Sequence, residues 1–543
     1  MDNTRCNRKY FPLRQTVTHL ALDFTKVMRA AKATSLCAKA VASARARSEL
    51  AKRNNTNSSV MKMKTTTTTT TTTRCASSST SSGRDDEGVS FAVPGLEVFD
   101  HAFAVPLLHP NLNYASPTLT STKTIQIFVR EIVSSANKAK DKRESLKTCL
   151  YLQGGPGFEC ARVQEIGGWI GHLAKEKNMR VLLLDQRGTG RSSPMTRQKL
   201  MREESSMHET LQYYRADSIV EDCEFVRKKM LGEEKKYDVV LGQSFGGFCL
   251  TTYLSRYGEE AIEMALLTGG VPPLNNKDPK DSYAKLLERV KTQTKKYYSR
   301  FPRDKEIMKE LAKLCDAKEQ VKTLNGNIIS ARGVQALGFS LGTAGGFERL
   351  HYMLENAICE ENGKRRVSDE FMNAFDKFHP FDSNPLYALM HESIYMNGDG
   401  NSSNWAAERA IKERASDWDP VAPEHGKDGV LFTGEMVLPF FYDELSYLQP
   451  MKRVAQSLQD RTDWPKLYDL DKLRTCKTKT ACALYLDDMF VDFDLAMDVV
   501  NNYMGPNVRV YATNEYMHSG IREDGKRIID KMIAMLDDSD PLR

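Results

Sequence analysis

One stretch, Leu241-Gly242-Gln243-Ser244-Phe245-Gly246-Gly247-Phe248, constrains this chain more than any other. The preceding Tyr237-Asp238-Val239-Val240 reads as a strand and the following run suits a helix, so Gly-x-Ser-x-Gly falls where a strand turns sharply into a helix. Such a turn strains the serine backbone, leaves no room for a side chain at Gly242 or Gly246, and presents Ser244 Oγ at the strand's C-terminal end. The bare pattern also occurs in ordinary turns. Its strand-to-helix setting is what makes Ser244 a candidate nucleophile.

The elements around this turn have the character of a parallel sheet. An apolar strand at Thr148–Leu152 runs into Gln153-Gly154-Gly155-Pro156-Gly157. An acyl-transfer site needs backbone N–H groups, unshielded by side chains, to hold an oxyanion; Gly154, Gly155 and Phe245, the residue after the serine, are the candidates. The other reading is a plain Gly-Pro turn, and a phosphate cradle is disfavoured because no Gly-Lys-Ser/Thr follows. A second buried strand at Met179–Asp185 leads into Gln186-Arg187-Gly188, where Asp185 and Arg187 are expected to brace loops rather than react. Residues 214–230 form an amphipathic helix with Ile219, Cys223, Val226 and Met230 on one face. The lysine-rich 136–147 is expected to be a solvated hairpin tip.

From about Asn275 to Arg474 strand and helix stop alternating and charged helices with aromatic faces take over, which predicts an inserted helical cap. Two carboxylates there, Glu392 and Glu435, stand among apolar and aromatic neighbours. Each can be a buried structural group or a ligand for a cation. Strands resume at Ala481–Leu486, followed by Asp487-Asp488, and at Val508–Ala512, followed by His518, with a closing helix from about Gly525. Ser, Asp, His in that order at successive strand ends is the arrangement of a hydrolase triad. Strand alternation does not choose between Asp487 and Asp488.

Charge is unevenly distributed. Residues 1–84 carry sixteen Lys and Arg against three Asp and Glu, so of the total +6 these residues hold +13 and the remainder −7. An acidic body argues against nucleic-acid binding. The leader, 1–88, with nine consecutive threonines after Met61-Lys-Met-Lys, cannot bury a core and is expected to be disordered. It has the composition of a transit peptide, for a plastid before a mitochondrion; a tail on a cytoplasmic protein, or an extension ahead of a start at Met61, is the other reading. No apolar run reaches the roughly 18 residues of a membrane span. Eleven scattered cysteines form no CxxC, and the one His-Glu pair, His391-Glu392, does not continue as HExxH, so neither a metal nor another cofactor is expected.

Taken together, Gly154-Gly-Pro-Gly157, Asp185-Gln-Arg-Gly-Thr-Gly-Arg-Ser192, Arg215-Ala-Asp-Ser-Ile-Val220, Gly242-Gln-Ser-Phe-Gly-Gly-Phe248, Asp488-Met-Phe-Val-Asp492 and His518-Ser-Gly520 resemble the prolyl aminopeptidases, or proline iminopeptidases, of the α/β-hydrolase fold. The resemblance runs from about Val89 to the C-terminus. It implies an α/β-hydrolase core in two parts, 89–274 and 475–543, around a helical cap, 275–474, and an activity that releases N-terminal proline from peptides. It further implies Ser244 as nucleophile, His518 as base, Asp488 as its orienting partner, and Glu392 and Glu435 as ligands of the substrate's imino group. Gln153 departs from the pattern, since many relatives have His there. A carboxylesterase or other small-molecule hydrolase on the same scaffold is the alternative, because fold does not fix substrate; a hydrolase-like binding protein is disfavoured by the intact triad.

Overall fold

The computed structural model describes residues 90–114, 123–274, 277–422 and 428–537. The leader 1–88, and with it the expected disorder, lies outside the described residues. Strands β1 (Ser90–Val93), β2 (Leu96–Pro106) and β3 (Thr124–Ser134) form an antiparallel edge. Next along the chain come β4 (Thr148–Leu152), β5 (Arg180–Asp185), β6 (Tyr237–Gln243) and β7 (Ile262–Thr268). Two short hairpins follow, β8 with β9 (Val321–Lys322, Ile328–Ile329) and β10 with β11 (Ile358–Glu361, Lys364–Val367), and then β12 (Lys479–Tyr485) and β13 (Val508–Thr513). The main sheet has the order β1-β2-β3-β5-β4-β6-β7-β12-β13 and is parallel from β5 onward. Every residue of β4 and β5 is buried, as befits parallel strands covered on both faces.

The segment 136–147 is not a hairpin tip. The strands it joins, β3 and β4, are separated by β5, and the connection contains a short helix, Lys140–Ser145. Arg143 is buried within it, 3.2 Å from Glu131 Oε1 and over the Phe99 ring at 4.1 Å. A charge run looked solvated in sequence because the buried Glu131 that draws Arg143 inward sits on a different element.

The helix Ala216–Leu231 is buried on its polar side as well as its apolar one. Asp222 is the reason: Arg187, fully buried, donates to both its oxygens at 2.6 and 2.8 Å and to the carbonyls of Leu107 and Tyr213. Asp185 likewise accepts from Cys160 N, Arg191 N and Arg162. The two residues brace the loop that leaves β5.

Between Lys277 and Thr478 the chain is mainly helical, with the two hairpins as additions to the purely helical expectation. Its longest helix, Pro279–Arg300, starts with Pro at its first turn and an Asp278 side chain accepting from Lys280 N. It buries Tyr283, Leu286, Leu287, Val290, Tyr297 and Tyr298 along one stripe. The cap reaches the sheet's C-terminal edge at specific points. Gly342 O accepts from His518 N, Phe339 stacks on Phe490 at 5.1 Å, and Phe158 meets Tyr387 at 4.9 Å. Among the described residues no helix is long and apolar enough to cross a membrane.

Candidate active site

The parallel sense of β4, β6, β7, β12 and β13 delivers their C-terminal ends to one edge, where side chains far apart in sequence converge. Ser244, immediately after β6, has φ 56° and ψ −128°, a strained conformation for a residue with a side chain. Glycine neighbours make it possible. A Cβ on Gly246 would stand 2.0 Å from Leu152 O, and one on Gly247 2.3 Å from Gly270 O, so helix Phe245–Arg256 could not otherwise lie this close to the sheet. The serine N–H is held by Thr268 O at 3.1 Å.

Asp488 Oδ2 lies 2.8 Å from His518 Nδ1, while Asp488 Oδ1 accepts from Phe490 N at 2.8 Å and Val491 N at 3.1 Å. An ionised carboxylate only accepts, so Nδ1 carries the imidazole proton and Nε2 keeps its lone pair. Asp487 takes no part, its carboxylate accepting from Lys296 and Gln293. His518 and Ser244 pack on adjacent glycines at the end of β7: Gly269 adjoins His518 Nδ1, and Gly270 adjoins Ser244 N and O. Burial pushes the His518 pKa down, but Asp488 and, further off, Glu435 outweigh it and hold the pKa above its ordinary 6.5.

The glycine loop after β4 lies against the serine. A Cβ on Gly154 would stand 2.7 Å from Ser244 Cβ, and Gly155, at φ +134°, precedes a cis peptide to Pro156. Phe245 opens a helix, so its N–H has no intrahelical carbonyl. Of the three expected oxyanion donors, Gly154 adjoins the serine and Phe245 follows it in the chain, while a Cβ on Gly155 would meet Gly157 and Phe158.

The structure separates the two cap carboxylates. Glu392 accepts from Ala406 N at 2.9 Å and Ala407 N at 3.0 Å, one oxygen on each, at the start of helix Ala406–Lys412. Burial pushes its pKa up to about 7, against those two hydrogen bonds. Glu435, with 15% of its side chain exposed, accepts from Tyr387 Oη and stands 4.0 Å from His391 Nε2. His391 Nδ1 lies 3.2 Å from Tyr283 Oη. Burial raises the Glu435 pKa, but His391, His518 and Tyr387 outweigh it and keep it below the usual carboxylate value. Glu435 is therefore an ionised group near the base, whereas Glu392 is occupied by backbone. Tyr387 and His391 belong to this neighbourhood and are not among the site residues the sequence picks out; Gln243 was visible only within the Gly-Gln-Ser-Phe-Gly-Gly motif, and Gln153 only as a departure from one.

A family model described as the alpha/beta hydrolase fold matches residues 150–316. The chain is 36% identical over 447 residues to a proline iminopeptidase of Aeromonas sobria, covering 82% of this chain and 98% of that protein. It is 27% identical over 443 residues to a proline iminopeptidase of Aspergillus aculeatus, covering 80% of this chain and 93% of that one. Identity of this extent, along nearly the whole of the Aeromonas relative and over a hydrolase sheet, places the chain in the proline iminopeptidase family of the α/β-hydrolases.

Proposed function

We propose that this protein is a serine exopeptidase that releases N-terminal proline from peptides through an acyl-enzyme, with residues 275–474 acting as the cap that receives the substrate's N-terminus. The observation that carries the reading is the cap carboxylate Glu435, which takes no backbone donor among the described residues, is held by Tyr387 Oη 4.0 Å from His391 Nε2, and lies within electrostatic reach of His518. An exopeptidase must bind a charged N-terminus at a fixed distance from the scissile carbonyl, and a carboxylate in a poorly hydrated pocket attracts that cation far more strongly than one in water. The imino cation of proline pairs with Glu435, and Tyr387 and Phe158 supply apolar surface nearby.

With the substrate so held, Ser244 Oγ attacks the prolyl carbonyl while His518 Nε2 takes its proton. The N–H groups of Phe245 and the Gly154-Gly155 turn hold the oxyanion, the imidazolium is stabilised by Asp488, and it returns the proton to the leaving amine. Water admitted on the same face hydrolyses the acyl-enzyme by the reverse proton route.

The test is a panel of N-terminal aminoacyl fluorogenic amides, with p-nitrophenyl acetate beside it, on protein lacking residues 1–88 and on its Ser244→Ala variant. Prolyl amides are expected to lead the panel, and the variant to lose several orders of magnitude on every substrate. Hydrolysis of the ester without any prolyl amide would instead support a carboxylesterase, and Ser244→Ala activity within about tenfold of wild type would remove Ser244 as nucleophile.

A further inference from the structure

Helix Gly520–Leu536 begins two residues after His518, and its Arg522 turns back toward the serine. Arg522 Nη2 lies 3.3 Å from Gln243 Oε1. The same nitrogen lies 2.9 Å from the Gln153 side-chain oxygen when that amide is oriented so that its nitrogen donates to Tyr151 Oη at 3.1 Å, and the Gln153 oxygen is then 3.3 Å from Gly154 N. Gln243 Nε2, in turn, is 3.5 Å from His518 Nε2.

We propose that Arg522 is a positioning residue: by holding the oxygens of Gln243 and Gln153, it turns the Gln243 amide nitrogen toward His518 Nε2 in the substrate-free enzyme, a place that Ser244 Oγ–H takes over during attack, and the Gln153 amide nitrogen toward Tyr151 Oη. A primary amide is nearly symmetric in shape, and a buried one can turn over at little steric cost. A guanidinium removes the choice, because it only donates and so must face oxygen. At Gln243 this turns the NH2 group toward the base. An N–H facing Nε2 suits the neutral imidazole, which has a lone pair there, and opposes the imidazolium, which presents a second N–H.

The groups acting on His518 come from three elements: Asp488 from the loop after β12, Glu435 from the cap and Arg522 from the C-terminal helix. The two carboxylates favour the imidazolium and Arg522 opposes it. Arg522 lies along a surface cleft of about 320 Å³ bordered by Gly167, Gly168 and Trp169. Water in that cleft screens its bare charge, so the amide is the main route by which it reaches the base. The position also means that replacing Arg522 opens no hole in the core.

This rests on His518 being the general base, and the experiment separates the two ideas. The His518 pKa is measured by NMR titration of enzyme carrying 13Cε1-labelled histidine, its resonance assigned by comparison with His518→Asn, and the acid limb of kcat/KM is recorded in parallel. In Arg522→Met the His518 pKa is expected to rise, and the acid limb of kcat/KM to move to higher pH with it, with little change in KM. Arg522→Lys, which keeps a donor to one amide, should keep the pKa close to wild type. Gln243→Leu, which leaves the cation and removes the amide, should raise it as Arg522→Met does. An NMR pKa that rises while the kinetic limb stays put supports the positioning of His518 by Arg522 and overturns His518 as the general base. An unmoved NMR pKa in Arg522→Met, or a rise there with none in Gln243→Leu, overturns the proposal. If Arg522→Met does not fold, Arg522→Gln takes its place in the same comparisons.

Discussion

His518 Nδ1 lies 2.8 Å from Asp488 Oδ2, while Asp487, one residue earlier, points to Lys296 on the cap's long helix. Consecutive aspartates past a strand end face different surroundings, so their substitutions should separate sharply. Asp488→Asn should lower kcat by about 10⁴-fold, because an asparagine no longer enforces the tautomer that leaves Nε2 free. Asp487→Asn should stay within about threefold of wild type, as loss of an exposed ion pair does. Steady-state kinetics on a prolyl amide checks both, and the reverse ranking would move the orienting role to Asp487.

The raised pKa of His518 has a sign in both activity and stability. The base works when neutral, so kcat/KM should fall as pH drops through a value above 6.5. Stability runs the other way: the imidazolium is better held in the folded protein, and this contribution is complete below the unfolded pKa and lost as pH rises through the folded one. Asp488→Asn removes the largest raising influence and should bring the NMR-measured pKa down. A titration in which His518 sits below 6.5 in the wild type would contradict the assignment of Asp488 and Glu435 as its dominant partners.

Glu435 and Glu392 predict opposite phenotypes on substitution by Gln. Glu435→Gln keeps shape and loses the charge that holds the substrate cation, so kcat/KM for prolyl amides should fall by about 100-fold or more. Hydrolysis of p-nitrophenyl acetate should change little. Glu392→Gln leaves one of Ala406 N and Ala407 N facing an NH2 group, at a cost of roughly 1–3 kcal/mol of stability. The ratio of the two activities, beside a denaturation curve for each variant, is the deciding measurement. Parallel loss on both substrates in Glu435→Gln would make it a structural residue.

Arg187 and Asp222 form a fully buried pair. Arg187→Met strands Asp222 with His109 as its remaining side-chain partner, 2.8 Å away, and should cost about 3–5 kcal/mol. The turnover of molecules that remain folded should change far less. Chemical denaturation with activity normalised to the folded fraction tests this; unaltered stability would show that the loop after β5 is held by other contacts.

The leader is read as a targeting segment, so residues 1–88 fused to a fluorescent protein should direct it into plastids. A fusion that stays in the cytosol overturns targeting, and one found in mitochondria changes the organelle.

The sequence by itself determined what local rules and ordered spacing can encode. The elbow at Ser244 was legible because strand, glycine, serine and glycine obey steric requirements within eight residues. The strand end before Asp488 was legible because β12 is a buried, nearly continuous apolar run, and the one before His518 because the half-buried edge strand β13 still carries Val508, Val510 and Tyr511. Their meeting was an inference from chain order; tertiary structure supplied the 2.8 Å contact and the choice of Asp488, since that depends on the direction each side chain leaves the loop. Glu392 and Glu435 looked alike in sequence, both acidic among aromatics. Only the fold showed that a helix start occupies one, because a carboxylate's role is set by the donors that reach it, and those donors lie on other elements. Arg143 and Arg522 carry the same lesson from the cationic side: a charge's environment is a property of the packed chain, and no window along the sequence contains the partners that define it.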